Sequence, residues 1–193
     1  MKPYRWILGS QSPRRKELLA TLGHSFEIRT IEGHSEAYPE TLPLEEVPRY
    51  LSQLKAEQLR STLQDDELLI TADTVVLLDG QILGKPHDLD DACRMLRLLS
   101  GRQHEVVSGV SLTTTEWQRS FASHTRVTFA PLTDSEIDHY VTQYRPLDKA
   151  GAYGIQEWIG YIGVSHIEGS FYNVMGLPVQ RLYRELQDAD LLP

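Results

Sequence analysis

The chain has 193 residues, of which 40% are hydrophobic and 24% are charged, and its formal net charge is −8. This composition is typical of a globular domain, and no apolar run reaches the roughly 20 residues that a membrane span requires. A protein that grips DNA or RNA carries a basic surplus, so the charge argues against a nucleic acid and favours a small anionic ligand. The lone cysteine and the lack of a signal-peptide pattern indicate a cytoplasmic protein.

The first part of the chain predicts a strand followed by two helices. Residues 6–8 are apolar and are typical of a short buried strand. Ser12 is a suitable N-cap for the first helix, and Pro13 takes the first helical position, where its missing N–H costs nothing. Gly23 is a natural end for this helix. A second amphipathic helix is predicted from about Pro48 to Arg60, with the proline in its first turn.

Two apolar runs, Leu68–Ile70 and Val75–Leu78, predict one buried strand that Thr71–Thr74 interrupts. The Asp79-Gly80 pair that follows predicts a tight hairpin turn. The later predicted elements are a helix capped by Asp88 and ended by Gly101, strands at about 104–113 and 120–130, a helix opened by a capping box from Thr133 to Glu136, a glycine-rich loop over Asp148–Gln156, a strand over Ile159–Val164 and a closing helix over Pro178–Leu186. Together they predict an α/β (mixed α+β) fold whose central sheet is mixed because of the hairpin.

The turn before the first helix is one candidate binding site. A helix N-terminus offers unpaired N–H groups and the positive end of the helix dipole to an anion. Ser10 and Ser12 add hydroxyl donors there, and Arg14 and Arg15 add guanidinium groups that suit phosphate. A surface helix that begins with Ser-Pro and carries solvated arginines has the same local pattern, so both interpretations stay open at this point.

Asp73 is the second candidate because it lies between two apolar runs. A carboxylate inside a buried strand costs several kcal/mol unless it meets a metal, a cation or water, and aspartate is a poor strand former. A cleft in which Asp73 serves as a general base or a metal ligand would explain both penalties. The alternative is that the strand ends at Thr71 and Asp73 lies in a surface turn.

Two lysines and a glycine-rich loop complete the candidate residues. Lys55 lies on the second predicted helix and Lys85 follows the hairpin, and each alone is typical of a solvated charge. In the run Lys149–Gln156, two glycines let the backbone approach a ligand, and the Gln156 amide can read the edge of a base. An ordinary turn explains two glycines equally well.

Six runs of residues carry a further signal, and they are Leu8–Leu19, Ala72–Val76, Gly84–Pro86, Leu99–Val106, Asp148–Gln156 and Gly169–Pro178. In this order, and over almost the whole chain, they resemble the Maf family of nucleotide pyrophosphatases. The resemblance implies a single domain over residues 1–193. It also implies an elongated fold like that of inosine triphosphate pyrophosphatases, with a cleft between two lobes, and often a homodimer.

The resemblance also assigns expected roles to the candidate residues. Asp73 matches the general base, and a divalent cation, magnesium or manganese, is implied as cofactor. Asp73 and Glu36 are the candidate metal ligands, although the segment around Glu36 aligns loosely. The positions that line the phosphate site of the family correspond to Ser12, Arg15, Lys55 and Lys85. The positions that separate the dTTP/UTP branch from the 7-methyl-GTP branch correspond to Arg14, Thr74 and Gln156.

The expected activity is hydrolysis of dTTP and UTP to the monophosphate and pyrophosphate. One alternative is a 7-methyl-GTP pyrophosphatase, which Thr74 and Gln156 argue against. The other alternative is a regulator of cell division that senses nucleotides without turnover, which the complete set of site residues argues against. There are also departures from the family pattern: Gln11 and Thr71 replace smaller residues, and Glu157-Trp158 follows Gln156 where glycine is usual.

Overall fold

The computed structural model describes residues 4–31 and 37–192 of the chain. Its strands and α-helices, in chain order, are β1 (Arg5–Leu8), α1 (Pro13–Ala20), β2 (Phe26–Ile28), α2 (Val47–Arg60), β3 (Glu67–Leu78), β4 (Gln81–Leu83), α3 (Leu89–Leu99), β5 (Gln103–Thr113), β6 (Gln118–Phe129), α4 (Asp134–Tyr144), α5 (Trp158–Gly163), β7 (Val164–Glu168), α6 (Phe171–Met175) and α7 (Val179–Asp188). Short 3-10 turns occupy Leu44–Glu46 and Ala150–Ala152. Over the described ranges, none of the helices combines the length and the apolar character that crossing a membrane requires.

The strands form one mixed sheet, which confirms the predicted fold class. Neighbouring strands are hydrogen-bonded in the order β2-β1-β3-β5-β6-β7. The short strand β4 is not part of this order and pairs with β3. Strand β1 is parallel to both β2 and β3. In contrast, β4 is antiparallel to β3 and β7 is antiparallel to β6. The antiparallel β3–β4 pair is the hairpin that the Asp79-Gly80 dipeptide predicts.

The chain divides into two compact units. The first unit consists of Met1–Asp73, Ser108–Ser123 and Gly176–Pro193, and the second unit consists of Thr74–Val107 and His124–Met175. Strands β3, β5 and β6 contribute residues to both units. The organisation as a single domain and the cleft between two lobes stay predictions.

In the first unit, one face of α2 packs on β1 and β3. Ile7, Ala56, Leu59 and Leu69 form a cluster of buried side chains, because the apolar positions of α2 recur at helical spacing and meet the apolar faces of the two strands. Helix α2 begins at Val47, and Pro48 lies in its first turn as predicted. This packing fixes α2 and β3 against each other, and each of them carries one of the candidate charged residues.

A buried carboxylate with two arginine partners lies at the start of β3 in the first unit. Glu67, at the start of β3, is only 1% exposed. The Arg29 guanidinium donates to both of its oxygens, at 2.8 and 2.9 Å, and Arg5 Nη2 lies 3.1 Å from Oε1. The hydrogen bonds from Arg29, followed by that from the Gln64 N–H and by the charges of Arg29 and Arg5, lower the pKa of Glu67 against the opposing effect of burial. The paired charges offset the cost of removing the carboxylate from water.

In the second unit, the local signals in the sequence produce the expected turns and caps. Asp79 and Gly80 have φ angles of 50° and 71°, as the hairpin turn requires. Asp88 caps α3, with its Oδ1 accepting from the Asp91 N–H at 2.8 Å. Thr133 and Glu136 form both halves of the capping box of α4. These predictions are confirmed.

The core of the second unit contains a hydrogen-bonded aromatic cluster. The Nε2 atom of His104 lies 2.6 Å from the Tyr153 hydroxyl, and Phe129 packs edge-on against both rings. Burial lowers the pKa of His104 to about 4, so its imidazole is neutral near pH 7. The neutral ring therefore holds Tyr153, which lies in the glycine-rich loop.

The predicted strand over Ile159–Val164 is wrong. Trp158–Gly163 forms α5, and β7 begins at Val164. A Cβ atom on Gly160 would overlap the backbone carbonyl of Ile155, so a glycine allows this helix to begin directly on the preceding loop. Two glycines in six residues argue against a helix by propensity, and this tertiary contact outweighs that preference.

Candidate functional site

The turn between β1 and α1, in the first unit, has the predicted cap. The Ser12 hydroxyl accepts from the Arg15 N–H at 3.4 Å, and Pro13 opens the helix. Ser10 is buried, and its hydroxyl accepts from the Ser12 N–H at 3.2 Å. The two serines therefore fold the turn onto the N-terminus of α1, where backbone N–H groups favour an anion.

Arg15 is anchored within the first unit. Its Nε donates to the Gly176 carbonyl at 2.9 Å, and its Nη1 donates to Ser10 Oγ at 3.4 Å. Arg14, the preceding residue in α1, is half-buried. The structure thus joins Ser10, Ser12 and Arg15 into one hydrogen-bonded group, which excludes the interpretation of Arg15 as a freely solvated surface arginine.

Asp73 lies inside an unbroken strand and is paired with Lys55. Strand β3 runs without interruption from Glu67 to Leu78, so the interpretation of Asp73 as a surface turn residue is wrong. Lys55 Nζ, from α2, donates to Asp73 Oδ1, and the side chains are 11% and 12% exposed. The cation offsets much of the cost of burying the carboxylate. The structure thus confirms that the Asp73 carboxylate lies inside a buried strand, where an unpaired charge would be strongly unfavourable.

A close approach of backbone places the β1–α1 turn beside β3. The Gly9 N–H donates to the Ile70 carbonyl at 2.8 Å. A Cβ atom on Gly9 would lie 2.6 Å from Thr71 Cγ2, so a side chain at this position would push the turn away. Because β1 and β3 are parallel, the turn extends along β3 in the direction of Asp73.

The remaining predicted residues lie in the second unit. Thr74 follows Asp73 in β3 and is half-buried, and Lys85 is exposed after β4. The carbonyl of Gly84 accepts from the Gly151 N–H at 3.0 Å, which ties the segment carrying Lys85 to the glycine-rich loop. Gly151 has a φ of 68° and packs directly on Val76, so this turn requires glycine.

Gln156 ends the glycine-rich loop in a half-buried position. Its Oε1 atom is buried, and over the part of the chain that the structure describes, no hydrogen-bond donor reaches it. An unpaired buried acceptor costs roughly 1–3 kcal/mol, so a ligand that donates a hydrogen bond here would recover free energy. The terminal torsion of an amide is soft, which lets the group turn towards such a ligand.

The sequence does not predict a polar cluster that joins residues on either side of Gln156 in the chain. The Tyr140 hydroxyl, from α4, donates to Glu157 Oε2 and accepts from the Gly154 N–H at 3.0 Å. Lys149 Nζ lies 3.2 Å from Glu157 Oε1. Burial, followed by the hydrogen bond to Glu157, raises the pKa of Tyr140. In the sequence, Glu157 is the one member of this cluster that stands out, since it departs from the family pattern. Tyr140 gives no signal because it also fits the apolar face of α4.

The described residues contain no group of three or more His, Cys, Asp or Glu side chains that would hold a metal ion. Glu36, the second candidate ligand, lies outside the described residues. Asp73 is therefore the described candidate. Magnesium is often held by one or two carboxylates together with substrate phosphates, so a single carboxylate beside a phosphate site fits this ion.

The comparison with protein families decides the assignment. The model of the family described as "Maf-like protein" matches residues 5–189. The chain belongs to the Maf family. The predicted family is confirmed, and the residues that carry the resemblance lie in both units of this Maf chain.

Curated relatives match the Maf chain over nearly its full length. A protein named dTTP/UTP pyrophosphatase from Phocaeicola vulgatus is 58% identical over 97% of this chain and 97% of its own. A protein of the same name from Porphyromonas gingivalis (strain W83) is 58% identical over 97% and 96%. The solved structure of the Staphylococcus aureus Ham1 protein is 14% identical, with a TM-score of 0.49 over 65% of this chain and 72% of that one.

Proposed function

We propose that this chain hydrolyses dTTP and UTP to the nucleoside monophosphate and pyrophosphate, with Asp73 as the general base. The observation that carries the proposal is the Asp73 carboxylate, nearly buried in β3 and held by Lys55. A buried charge at this cost is typical of a functional site. The names of the full-length relatives support the same substrates.

The reaction needs one proton acceptor near the attacking water. A water oxygen forms a bond to the α-phosphorus, and the bond from that phosphorus to the oxygen bridging to the β-phosphate breaks. The water gives one proton to the carboxylate of Asp73, and pyrophosphate leaves with the bridging oxygen. The Lys55 ammonium contacts Oδ1 of this carboxylate and holds it in place. General-base help of this kind is worth roughly 10²–10⁴-fold in rate.

Basic and hydroxyl groups stabilise the triphosphate. Ser12 and the N–H groups that open α1 receive phosphate oxygens, and Arg14 adds a guanidinium charge. The hydrogen bonds of Arg15 to Gly176 and Ser10 pre-organise its guanidinium, so less side-chain entropy is lost when phosphate binds. Lys85, exposed after β4, offers a further charge to the leaving pyrophosphate.

Base selection rests on Arg14, Thr74 and Gln156. Uracil and thymine present an acceptor–donor–acceptor edge, and an amide side chain can pair with such an edge in two directions. The buried Oε1 of Gln156 suits the single donor of that edge. A site that hydrogen-bonds its substrate discriminates strongly, because a wrong base leaves buried polar groups unpaired.

A divalent cation, magnesium or manganese, belongs to the proposal as cofactor. Asp73 is the described residue that would hold it, and phosphate oxygens of the substrate would complete its coordination. When bound, such an ion neutralises phosphate charge and lowers the pKa of a bound water.

The setting of the protein is also part of the proposal. A single cysteine, which forms no internal disulfide, suits a cytoplasmic compartment. The net charge of −8 suits a free nucleotide better than a nucleic acid. A homodimer follows from the family resemblance alone, and sedimentation of the purified protein tests it.

Release of pyrophosphate from a panel of nucleotides tests the proposal. The panel contains dTTP, UTP, CTP, ATP and 7-methyl-GTP, each with magnesium or manganese. We expect kcat/KM for dTTP and UTP to exceed the other values by at least about tenfold. A preference for 7-methyl-GTP would overturn the branch assignment, and tight binding of nucleotides without release of pyrophosphate would favour the non-catalytic regulator.

A further inference from the structure

We infer that Glu157 is a positioning residue for Gln156, and that its clamp with Tyr140 and Lys149 sets how strictly the enzyme selects its base. The inference deepens the proposed function and rests on it. It concerns a residue that the family resemblance marks as a departure rather than as a site residue. All of the residues involved lie in the second unit.

The clamp connects both sides of Gln156. The Tyr140 hydroxyl binds the Gly154 N–H on one side and the Glu157 carboxylate on the other. The Glu157 N–H donates to the Gly154 carbonyl at 3.0 Å, which closes the backbone around Ile155 and Gln156. One hydroxyl from α4 and one backbone hydrogen bond thus fix the turn that presents the Gln156 amide.

Two of the three clamp residues are buried, and the Glu157 side chain is 21% exposed. Tyr140 is fully buried and Lys149 is 7% exposed. A Cβ atom on Gly154 would lie 2.8 Å from Glu157 Cδ and 3.0 Å from Lys149 Cε. A larger residue at position 154 would force the ends of the Glu157 and Lys149 side chains to shift. Gly154 thus leaves the space that the ends of these two side chains occupy.

Lys149 supplies the counter-charge of the clamp. Its ammonium lies 3.2 Å from Glu157 Oε1 and 2.7 Å from Asp148 Oδ1. Asp148 is mostly exposed, so Glu157 is the better shielded partner. Removal of the Glu157 carboxylate would leave the buried ammonium with one solvent-screened partner, and the loop that carries Gln156 would relax towards water.

A purely structural clamp would hold α5 and the loop without influencing base selection. The two roles differ in what they change. A structural role lowers stability and reduces activity with all nucleotides alike. A positioning role lowers the ratio of kcat/KM for UTP to kcat/KM for CTP, because the two bases differ at the edge that the Gln156 amide reads.

The experiment measures kcat and KM with UTP and CTP at saturating magnesium for the wild type and a set of variants. The variants are Glu157→Ala, Glu157→Gln, Tyr140→Phe, Gln156→Ala and the double variant Glu157→Ala/Gln156→Ala. Glu168→Ala removes an exposed carboxylate of β7 and serves as the matched control. Assays run below the melting temperature of every variant.

We expect Glu157→Ala to lower the UTP/CTP ratio about tenfold, Tyr140→Phe to lower it less, and Glu157→Gln to restore part of it, because the amide still accepts from Tyr140. The double variant should match Gln156→Ala, since a positioning residue has no effect once its target is gone. Glu168→Ala should keep the wild-type ratio.

Several outcomes overturn the inference while the proposed function stands. They are an unchanged ratio in both Glu157→Ala and Tyr140→Phe, additive losses in the double variant, and an equal fall with Glu168→Ala. Tyr140→Phe keeps the buried ring, so it serves as the readout if Glu157→Ala does not fold. A wild-type enzyme without preference for UTP over CTP would instead overturn the proposed base selection, and with it this inference.

Discussion

Lys55 on α2 and Asp73 in β3 form an ion pair although neither side chain is more than 12% exposed. Breaking such a pair leaves one uncompensated charge in a site that is poorly hydrated. We expect Lys55→Met to lower the free energy of unfolding by about 2–4 kcal/mol in urea titrations without nucleotide. The double variant Lys55→Met/Asp73→Asn should regain most of that loss, and failure to regain it would mean that Lys55 stabilises the fold through its packing.

Asp73→Asn separates catalysis from binding. The amide has nearly the shape of the carboxylate and cannot take a proton from water. We expect kcat for dTTP to fall roughly 10²–10⁴-fold, while the dissociation constant of a non-hydrolysable analogue, measured without divalent metal, changes little. Asp65→Asn, at an exposed position of the same unit, is the matched control. Wild-type kcat in the Asp73 variant would remove this residue from the role of base.

Arg14 and Arg15 should differ in their effects on stability. Both substitutions to alanine are expected to weaken binding of the triphosphate by roughly 1.5–3 kcal/mol per charge-assisted contact. Arg15→Ala also removes the hydrogen bonds to Gly176 and Ser10, so it should lower the free energy of unfolding by about 1–2 kcal/mol more than Arg14→Ala does. Calorimetric binding of the analogue and thermal melting measure both effects. Early melting with normal binding would make these residues structural.

Removal of Arg29 should destabilise the fold more than neutralisation of Glu67 does. Arg29→Ala leaves the buried carboxylate with Arg5 as its cationic partner among the described residues, and should lower the free energy of unfolding by about 2–3 kcal/mol. Glu67→Gln removes the charge itself and should cost about 1–2 kcal/mol. Since the pKa of Glu67 is lowered on folding, its contribution is present above the unfolded pKa and is lost as the pH falls through the folded pKa. Arg126→Ala, in an exposed pair, should change stability by less than about 0.5 kcal/mol.

His104 should make the protein sensitive to acid. Its folded pKa is about 4, against an ordinary value of 6.5, because the buried ring resists protonation. The unfolded chain therefore binds a proton first, and stability should fall as the pH drops from about 6.5 to 4, by at most about 3 kcal/mol from this group. His104→Gln keeps a polar partner for Tyr153 and should flatten this part of the pH profile. An equally steep profile in His104→Gln, measured by urea titrations over this pH range, would contradict the prediction.

Local chemistry made much of the fold predictable. The cap at Ser12, the hairpin at Asp79-Gly80 and the capping box at Thr133 all depend on hydrogen bonds between residues a few positions apart. The sequence predicts a strand where α5 lies. The prediction failed because the decisive contact, Gly160 against the carbonyl of Ile155, forms only in the folded loop. Periodicity cannot report such a contact.

The candidate site was predictable where one residue violated a local preference. Asp73 stood out because a carboxylate in an apolar run is expensive, but its partner Lys55 resembled any solvated lysine until α2 packed on β3. Tyr140 and Glu157 are separated by 17 positions, and the apolar face of α4 accounts for Tyr140 without reference to Glu157, which directly precedes α5. Pairings of this kind depend on the tertiary fold, so they become visible only in the structure.

The hydrogen bond from Arg15 to the Gly176 carbonyl spans 161 positions of the chain. During synthesis on a ribosome, every residue of the second unit leaves before residues 176–193 can complete the first unit. A nascent chain stalled before Gly176 would lack the acceptor for Arg15 and the whole of α7, and would expose apolar surface that chaperones bind. The turn that opens α1 is encoded near the start of the gene, yet the hydrogen bond that anchors its Arg15 is among the last that the chain can complete.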